Sequence, residues 1–459
     1  MPKSIPDCPP VPAVHSSPGR LTHDYRIRLI TPMFGGGIVP GEIDQSCPIR
    51  GTAIRGHLQF WWRATRGASS ATPRDLFEKH AEVWGSPEKS SRVEVEVRNW
   101  QAADPHPCGR YEWKPQLQGG RGGYQLQWQP PFRVAPDPRE DALPYVLFPF
   151  QGKPPSGPSA PESEKPPASF IKEASFTLRV RFWSDLGDDV QTAVWAWVNF
   201  GGLGARTRRG CGALRCDELA PRNFEGLPAW FRARAAGVHG QDHPWPTLPS
   251  RFLSHPEVGD PVSVWNRVIR IWRDFRQVPG FARNPGQQGR PGRSRYPEPE
   301  TIREVCHADR KRSGHQRLAH IPADAFPRAE LGLPIVFQFK DRGDLKDAPV
   351  LYPRVDGQRK DRMASPLILK PLALADGRAV PLVMRLRTPQ LMEVELTKSD
   401  GEVLKGASQT VWGIHAIRDK RLVDPKYHDS PLRGLTEDGS ALEAFLARAV
   451  QNGYKEIQR

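Results

Sequence analysis

The chain has 459 residues, with 66 Lys or Arg against 51 Asp or Glu, and its formal net charge is +15 at pH 7. This excess of positive charge favours polyanionic partners, nucleic acid first among them. The N-terminus, MPKSIPDCPPVPAVHSSPGR, is not a basic segment followed by an apolar one, and no run of about 18 apolar residues occurs. We therefore expect neither export nor a membrane span. The six cysteines form no CxxC pair, as expected of a cytoplasmic protein without a disulfide scaffold.

The first half of the chain predicts six elements in the order β-α-β-β-α-β. Strands are indicated by alternating apolar residues, such as Tyr25, Ile27 and Leu29, and helices by apolar residues at a spacing of three and four. This order is that of a ferredoxin-like domain, which RNA-recognition domains also use. The predicted elements are strand 23–30, helix 52–67, strand 92–100, strand 174–183, helix 188–200 and strand 212–216.

A long insertion, residues 101–169, separates the second and third predicted strands. Its segment 152–168, GKPPSGPSAPESEKPPA, has too few apolar residues to offset chain entropy, which predicts disorder. The apolar run YVLFPF at 145–150 predicts an additional strand.

The second half contains enough predicted elements for another ferredoxin-like domain but leaves its strand order open. These elements are helix 262–275, strands 331–340, 365–374 and 379–388, and helix 441–450. The predicted organisation of the whole chain is a Pro-rich tail over 1–22, a first domain over 23–220, a linker over 221–260 and a second domain over 261–459.

A segment rich in glycine and arginine, NFGGLGARTRRGCGAL at 199–214, lies between the helix 188–200 and the strand 212–216. Glycine lets the backbone approach a ligand closely, and arginine supplies a permanent charge with five donors. The order helix, loop, strand is opposite to that of a dinucleotide-binding loop, and no Walker A motif occurs. We predict that this loop binds an RNA backbone; a tight connection with solvated arginines is the alternative. The predicted RNA-binding residues of the loop are Gly201, Gly202, Gly204, Arg206, Arg208, Arg209 and Gly210.

The first predicted helix offers a second candidate surface. Arg55, Gln59, Trp62 and Arg66 are spaced to share one helix face, where an exposed indole ring would stack on a base of any identity. Burial of Trp62 beneath the neighbouring chain is the alternative, since tryptophan is usually mostly buried. The RNA-binding residues predicted here are Arg50, Arg55, Trp62 and Arg63.

No catalytic, metal or cofactor site is predicted. His57 beside bound phosphate could activate a 2′-hydroxyl, but the sequence supplies no partner base. Cys306, His307, His315 and His320 do not match the spacing of zinc ligands. The basic stretch 281–321 that contains them is predicted to be a flexible arm that orders on a nucleic acid or a partner.

Five motifs together resemble the head-type RAMP subunits of Cmr, the type III-B CRISPR effector complexes. The motifs are PIRGTAIRGHLQFWWR (48–63), NFGGLGARTRRGCGAL (199–214), SRYPEPETIR (294–303), LGLPIVFQF (331–339) and RMASPLILKP (362–371). The resemblance implies an α+β fold of two tandem ferredoxin-like RAMP domains. It also implies a non-catalytic subunit that assembles with other Cmr RAMP subunits and guide RNA and helps capture target RNA in antiviral defence. Target cleavage and cyclic oligoadenylate synthesis then belong to other subunits. A metal-independent endoribonuclease that processes guide RNA through His57 is the alternative function.

Overall fold

The structure is a computed structural model, and two ferredoxin-like units account for most of its elements. It describes residues 19–118, 121–135, 137, 140–153, 165–238, 242–277, 294–308, 322, 324–339, 344–346, 348–402, 404, 409–424, 426 and 430–459. The tail and most of the stretches 152–168 and 281–321 thus lie outside the described residues.

The first unit runs from β1 to α5. Its strands are β1 (Arg20–Leu29), β2 (Met33–Phe34), β3 (Val93–Ala102), β4 (His106–Pro107), β5 (Arg110–Gln118), β6 (Arg121–Gln129), β7 (Ser169–Ile171), β8 (Ala174–Trp183) and β9 (Leu214–Arg215). Its helices are α1 (Gly51–Ala64), α2 (Pro73–Trp84), α3 (Leu143–Leu147), α4 (Gly187–Phe200) and α5 (Leu227–Arg234).

The main sheet of this unit has the strand order β3-β8-β1-β9 and is antiparallel. Strand β1 pairs with β8 from Arg20 opposite Trp183 to Arg28 opposite Ser175. Because side chains alternate along a strand, one face of the sheet is apolar, and α1 and α4 contribute to the same core. This order confirms the predicted ferredoxin-like topology.

The second unit has the same topology. Its strands are β10 (Arg251–Ser254), β11 (Ile335–Val336), β12 (Val350–Val355), β13 (Gln358–Arg359), β14 (Leu367–Ala373), β15 (Ala379–Arg385), β16 (Glu393–Thr397), β17 (Val411–Gly413) and β18 (Lys455–Gln458). Its helices are α6 (Pro261–Gln277), α7 (Glu298–Val305), α8 (Ile414–Ile417) and α9 (Ala441–Gln451). The sheet order β14-β15-β10-β18 supplies the strand order that the sequence left open, and β11-β12-β16-β17 form a separate inserted sheet.

Strands β14 and β15 of the second sheet are buried on both faces. All seven residues of β14 are buried. Ile368 and Leu372 belong to the core that includes α4 of the first unit, whereas Leu367 and Leu369 pack with α6 and α9. A strand buried on both faces is apolar throughout rather than alternating. The sheet therefore joins the two units through one continuous apolar contact.

Two predicted elements are corrected by the structure. The run 145–150 is not a strand: residues 143–147 form α3, in which Leu143, Val146 and Leu147 are buried at helical spacing, with a proline in the first turn. The segment 331–340 forms a strand only over Ile335–Val336.

A third difference concerns the predicted linker. The first strand of the second unit, β10, falls inside the range 221–260. It has four residues, three of them buried, so it is too short to show a period of two.

Candidate nucleic-acid interface

The glycine- and arginine-rich loop is held by hydrogen bonds from both units. The carbonyl oxygens of Pro32 and Phe34 accept hydrogen bonds from the backbone N–H groups of Gly212 and Ala205, both at 2.8 Å. On the opposite side, the Trp265 indole of α6 donates to the Arg209 carbonyl oxygen at 2.7 Å. The loop is thus fixed in position by both units.

The glycines are needed for this packing. A Cβ on Gly210 would lie 2.6 Å from the Trp265 ring, and one on Gly202 would lie 2.6 Å from the Gly212 carbonyl oxygen. A Cβ on Gly201 would lie 2.6 Å from the Trp197 carbonyl oxygen, and one on Gly204 would lie 2.6 Å from the Phe34 carbonyl oxygen. Close approach of the neighbouring backbone and of the Trp265 ring therefore explains these glycines, which the sequence had suggested contact a ligand.

Two of the loop arginines bridge the units. Arg209 donates to the Leu367 carbonyl oxygen of β14 at 2.6 Å, and Arg208 donates to the carbonyl oxygen of Ser365. The Arg208 guanidinium also lies 5.7 Å from the Phe60 ring centroid of α1. Burial lowers the pKa of both arginines, that of Arg209 to about 9, so Arg209 remains charged at pH 7.

Lys370 of β14 meets the same loop from the second unit. Its side chain is fully buried, and its Nζ donates to the Gly201 carbonyl oxygen at 2.8 Å and to that of Val198 at 3.4 Å. These carbonyls belong to the C-terminal end of α4, where the helix dipole favours a cation. Burial nevertheless lowers the pKa of Lys370 to about 7.

Four arginines form an unneutralised cluster at the junction of the units: Arg206, Arg208, Arg209 and Arg276. Arg209 and Arg276 approach the same Trp272 ring, at 4.9 and 5.3 Å from its centroid. Desolvation lowers the pKa of Arg209 most, and the positive charges of Arg206 and Arg276 lower it further. Among the described residues, no carboxylate forms an ion pair with any of the four. Like charges held together without counterions favour an anionic ligand.

Arg206 is the exposed member of this cluster and has a left-handed backbone, with φ of 58°. Although its side chain reaches the surface, desolvation is the largest cause of its lowered pKa. An L-residue in this conformation is held there by its surroundings at a cost in free energy. Arg206 is thus the most exposed of the four arginines, while Arg208 and Arg209 hold the loop in place.

A second loop lies beside Arg206. Gly35 follows β2, and a Cβ on it would lie 3.9 Å from that of Ala205. Arg50, the residue before α1, donates to the Gly36 carbonyl oxygen and is half-buried. The next residues in this loop include Ile38, whose side chain is 88% exposed. Arg50 and an apolar tip therefore border the arginine cluster.

The remaining residues predicted on α1 point into the protein, which corrects the second candidate surface. Trp62 is 3% exposed, and its indole donates to Asp189 of α4 at 2.7 Å. Arg55 donates to the carbonyl oxygens of Val93, at 2.9 Å, and Trp84. These residues do share one helix face, but that face is covered by α2, β3 and α4. The Trp62 ring is not available to a base.

Arg63 and His57 are half-buried. The Arg63 Nη1 lies 3.4 Å from the His80 Nε2, and burial lowers the pKa of Arg63. His57 stacks against Trp197 with ring centroids 6.4 Å apart, and burial lowers its pKa, so its imidazole is neutral at pH 7. Within the described part of the chain, His57 has no hydrogen-bond or ion-pair partner.

Arg276 and Lys370 were not singled out from the sequence. Arg276 continues the row Arg267, Arg270, Arg273 at intervals of three along α6, which was a usable signal. Lys370 is the one charged residue of the apolar strand LILKPLA, a position where a charge needs a partner.

The chain has an α+β fold of two ferredoxin-like units, and the glycine- and arginine-rich loop of the first unit packs against the second. The family model described as the RAMP superfamily matches residues 26–215, from β1 to β9. No curated protein sequence matches the chain.

Similar solved structures include Cmr1 from Pyrococcus furiosus, with 15% identity over 81% of this chain and 89% of that chain and a TM-score of 0.38. A chain of the type III-B Cmr-beta complex bound to cognate target RNA shows 12% identity over 81% of this chain and 96% of that chain, with a TM-score of 0.42. Cmr6 from Pyrococcus furiosus shows 12% identity over 43% of this chain and 98% of that chain, with a TM-score of 0.19.

Two further observations concern other classes of site. The described residues contain no group of three side chains arranged to hold a metal ion; His315 and His320 lie outside them. No helix in the described ranges is both long and apolar enough to cross a membrane.

Proposed function

We propose that this chain is a non-catalytic RNA-binding subunit of a type III-B CRISPR effector complex, and that the arginine cluster at the junction of its units holds a ribose-phosphate backbone. The observation that carries the proposal is the group Arg206, Arg208, Arg209 and Arg276, which lacks ion-pair partners among the described residues. The net charge of +15 and the RAMP match over 26–215 support it.

The geometry favours binding that is independent of base sequence. Arg209 donates to β14 and Arg208 donates to Ser365 just before it, so these two arginines fix the loop, while Arg206 and Arg276 contact the RNA backbone. Guanidinium groups on phosphates position a strand but do not read its bases. In a guide-directed complex, base pairing supplies the sequence, so a subunit of this kind needs no base contacts.

In the assembled complex, the other Cmr RAMP subunits and the guide or target RNA are the proposed partners. The exposed Ile38 tip and Arg50 border the cluster and extend the surface that a strand would cross. Cytoplasmic location follows from this assignment and forms part of the proposal.

The test is the affinity of the purified chain for single-stranded RNA of mixed sequence. We expect Arg206→Glu with Arg276→Glu to weaken binding by tenfold or more, since a charge-assisted hydrogen bond contributes about 1.5–3 kcal/mol and about 1.4 kcal/mol is a factor of ten. Arg222→Glu with Arg232→Glu is the matched control, because both residues are exposed and the change in net charge is the same. Equal loss in the two double variants would show that only net charge matters and would refute the junction site.

The alternative function, a metal-independent endoribonuclease, rests on His57, whose imidazole is neutral at pH 7 and half-exposed. Incubation with repeat RNA in EDTA tests it directly. We expect no cleavage; discrete products that disappear in His57→Ala would replace the proposed function by the enzymatic one.

A further inference from the structure

A second basic site lies on the second unit, away from the junction. A cleft of about 620 Å³ opens between α6 and the C-terminal end of α9, a volume that suits a ligand of nucleotide size. From α6 it is lined by Arg267, Arg270 and Asp274. At about 100° per residue, these three lie on the face of α6 opposite to Trp265 and Arg276. The cleft and the arginine cluster are therefore separate sites.

The cleft carries more positive than negative charge, and its carboxylates are already paired. Glu257 forms an ion pair with Arg267, and Asp274 forms one with Arg273 at 2.9 Å. Among the described residues, the side chain of Arg448, in the last turn of α9, has one hydrogen-bond partner, the Gln451 amide oxygen at 3.5 Å. In the same part of the chain, the Arg270 side chain has no hydrogen-bond or ion-pair partner. Arg295 also lines the cleft and donates to the Ser430 carbonyl oxygen at 3.3 Å. Two guanidinium groups are thus left without a counterion.

An unsatisfied donor lies in the same wall. Tyr454 is 3% exposed, and its hydroxyl is buried without a hydrogen-bond partner among the described residues. Desolvation raises its pKa, and the nearby Arg267 and Arg270 oppose that rise. Buried hydroxyl groups without partners are uncommon and point to a missing ligand or water.

We propose that this cleft binds the terminal phosphate of a nucleotide, a phosphomonoester, between Arg270 and Arg448. Two unpaired guanidinium groups match the two negative charges of a phosphomonoester better than the single charge of a backbone diester. The site goes beyond the proposed function, because backbone binding at the junction involves none of its residues. A free nucleotide and a phosphorylated RNA end present the same group, and the experiment separates them.

The experiment compares adenosine monophosphate, adenosine, and short RNAs with a 5′-phosphate or a 5′-hydroxyl, by calorimetry on the full chain at constant ionic strength. We expect adenosine monophosphate to bind at least tenfold more tightly than adenosine, and Arg270→Ala with Arg448→Ala to remove that difference. If RNA with a 5′-phosphate binds more tightly than RNA with a 5′-hydroxyl, and the same variant abolishes this difference, the ligand is an RNA end. Binding of the mononucleotide without such a gain identifies a free nucleotide.

Arg222→Ala with Arg232→Ala serves as the control, since it removes two exposed arginines that do not line the cleft. Equal binding of adenosine and its monophosphate, or phosphate binding that survives the Arg270 and Arg448 substitutions, overturns the proposal. If the double variant folds poorly, Arg448→Ala alone makes the same test, because Arg448 is exposed. Affinity for RNA with a 5′-hydroxyl should be unchanged in the cleft variant. The experiment therefore distinguishes a wrong assignment of the cleft from a wrong assignment of the junction site.

Discussion

The ammonium group of Lys370 lies 2.8 Å from the carbonyl oxygen of Gly201, so a buried cation of the second unit caps helix α4 of the first. The hydrogen bond joins the apolar strand β14 to the start of the glycine- and arginine-rich loop. Both the stability of the junction and the position of the arginines depend on this contact.

The first prediction concerns the pH dependence of this contact. Burial lowers the pKa of Lys370 from 10.5 to about 7. Between these values the unfolded chain holds a proton that the folded chain has released, so this site makes the free energy of unfolding rise with pH, by up to about 1.4 kcal/mol per pH unit. Lys370→Met removes this dependence and leaves the α4 carbonyls unpaired.

Denaturant unfolding of both proteins over a series of pH values measures the effect. The stability of the native chain relative to Lys370→Met should increase from pH 7 to about 10.5 and level off outside that window. A difference that does not change with pH would contradict the assigned state of Lys370.

The second prediction concerns the backbone of Arg206, whose φ is 58°. Asparagine adopts this conformation more readily than arginine, so Arg206→Asn should leave the free energy of unfolding unchanged or raise it by up to about 1 kcal/mol. RNA affinity should fall in the same variant, because the proposed phosphate contact is lost. Loss of RNA affinity without loss of stability distinguishes a binding residue from a structural one. Arg222→Asn, which removes a charge elsewhere, should change neither quantity.

The third prediction concerns Trp62. Trp62→Phe removes the part-buried hydrogen bond to Asp189 and leaves that carboxylate without its indole donor, which should lower the free energy of unfolding by about 1–3 kcal/mol. RNA affinity should stay at its native value, since the ring is 3% exposed. Loss of RNA affinity at unchanged stability would instead restore the stacking role expected from the sequence.

The fourth prediction uses salt. For single-stranded RNA, the logarithm of the binding constant should fall with the logarithm of salt concentration by about 0.7 per phosphate neutralised. Arg206→Glu with Arg276→Glu should reduce that slope by about 1.4, corresponding to two phosphates. The Arg222 and Arg232 control should keep the native slope. A native chain without salt dependence would indicate that the basic surface meets protein rather than RNA.

The sequence predicted most of the main elements because their apolar patterns are long and regular. Strand β8 occurs over the predicted residues 174–183, and α6 extends the prediction 262–275 by one residue before it and two after it. The twelve-residue helix α2 was missed. Short or ambiguous segments were also missed, among them β10 with its four residues and α3 with its run of five. Such segments take their conformation from neighbours that are distant in sequence.

The candidate site was only partly predictable for a related reason. The spacing of Arg55 and Trp62 established that they share a face of α1, but spacing does not tell which element covers that face. Likewise, the glycines of the loop indicated close approach, but the sequence did not show that the approaching groups are Trp265 and the backbone of β2. Arg206 could be singled out from the sequence because a charged residue in a glycine-rich loop is conspicuous. Arg276 becomes part of the arginine cluster only through the packing of α6, which the sequence does not show.

The burial of β14 and β15 on both faces has a consequence for how the chain can be divided. The RAMP match ends at residue 215, yet Phe252, Ile368 and Leu372 share a core with Trp195 and Phe200 of the first unit. A truncated protein that stops at the end of the match would expose these aromatic rings to water and should aggregate. We therefore expect that neither half folds stably without the other.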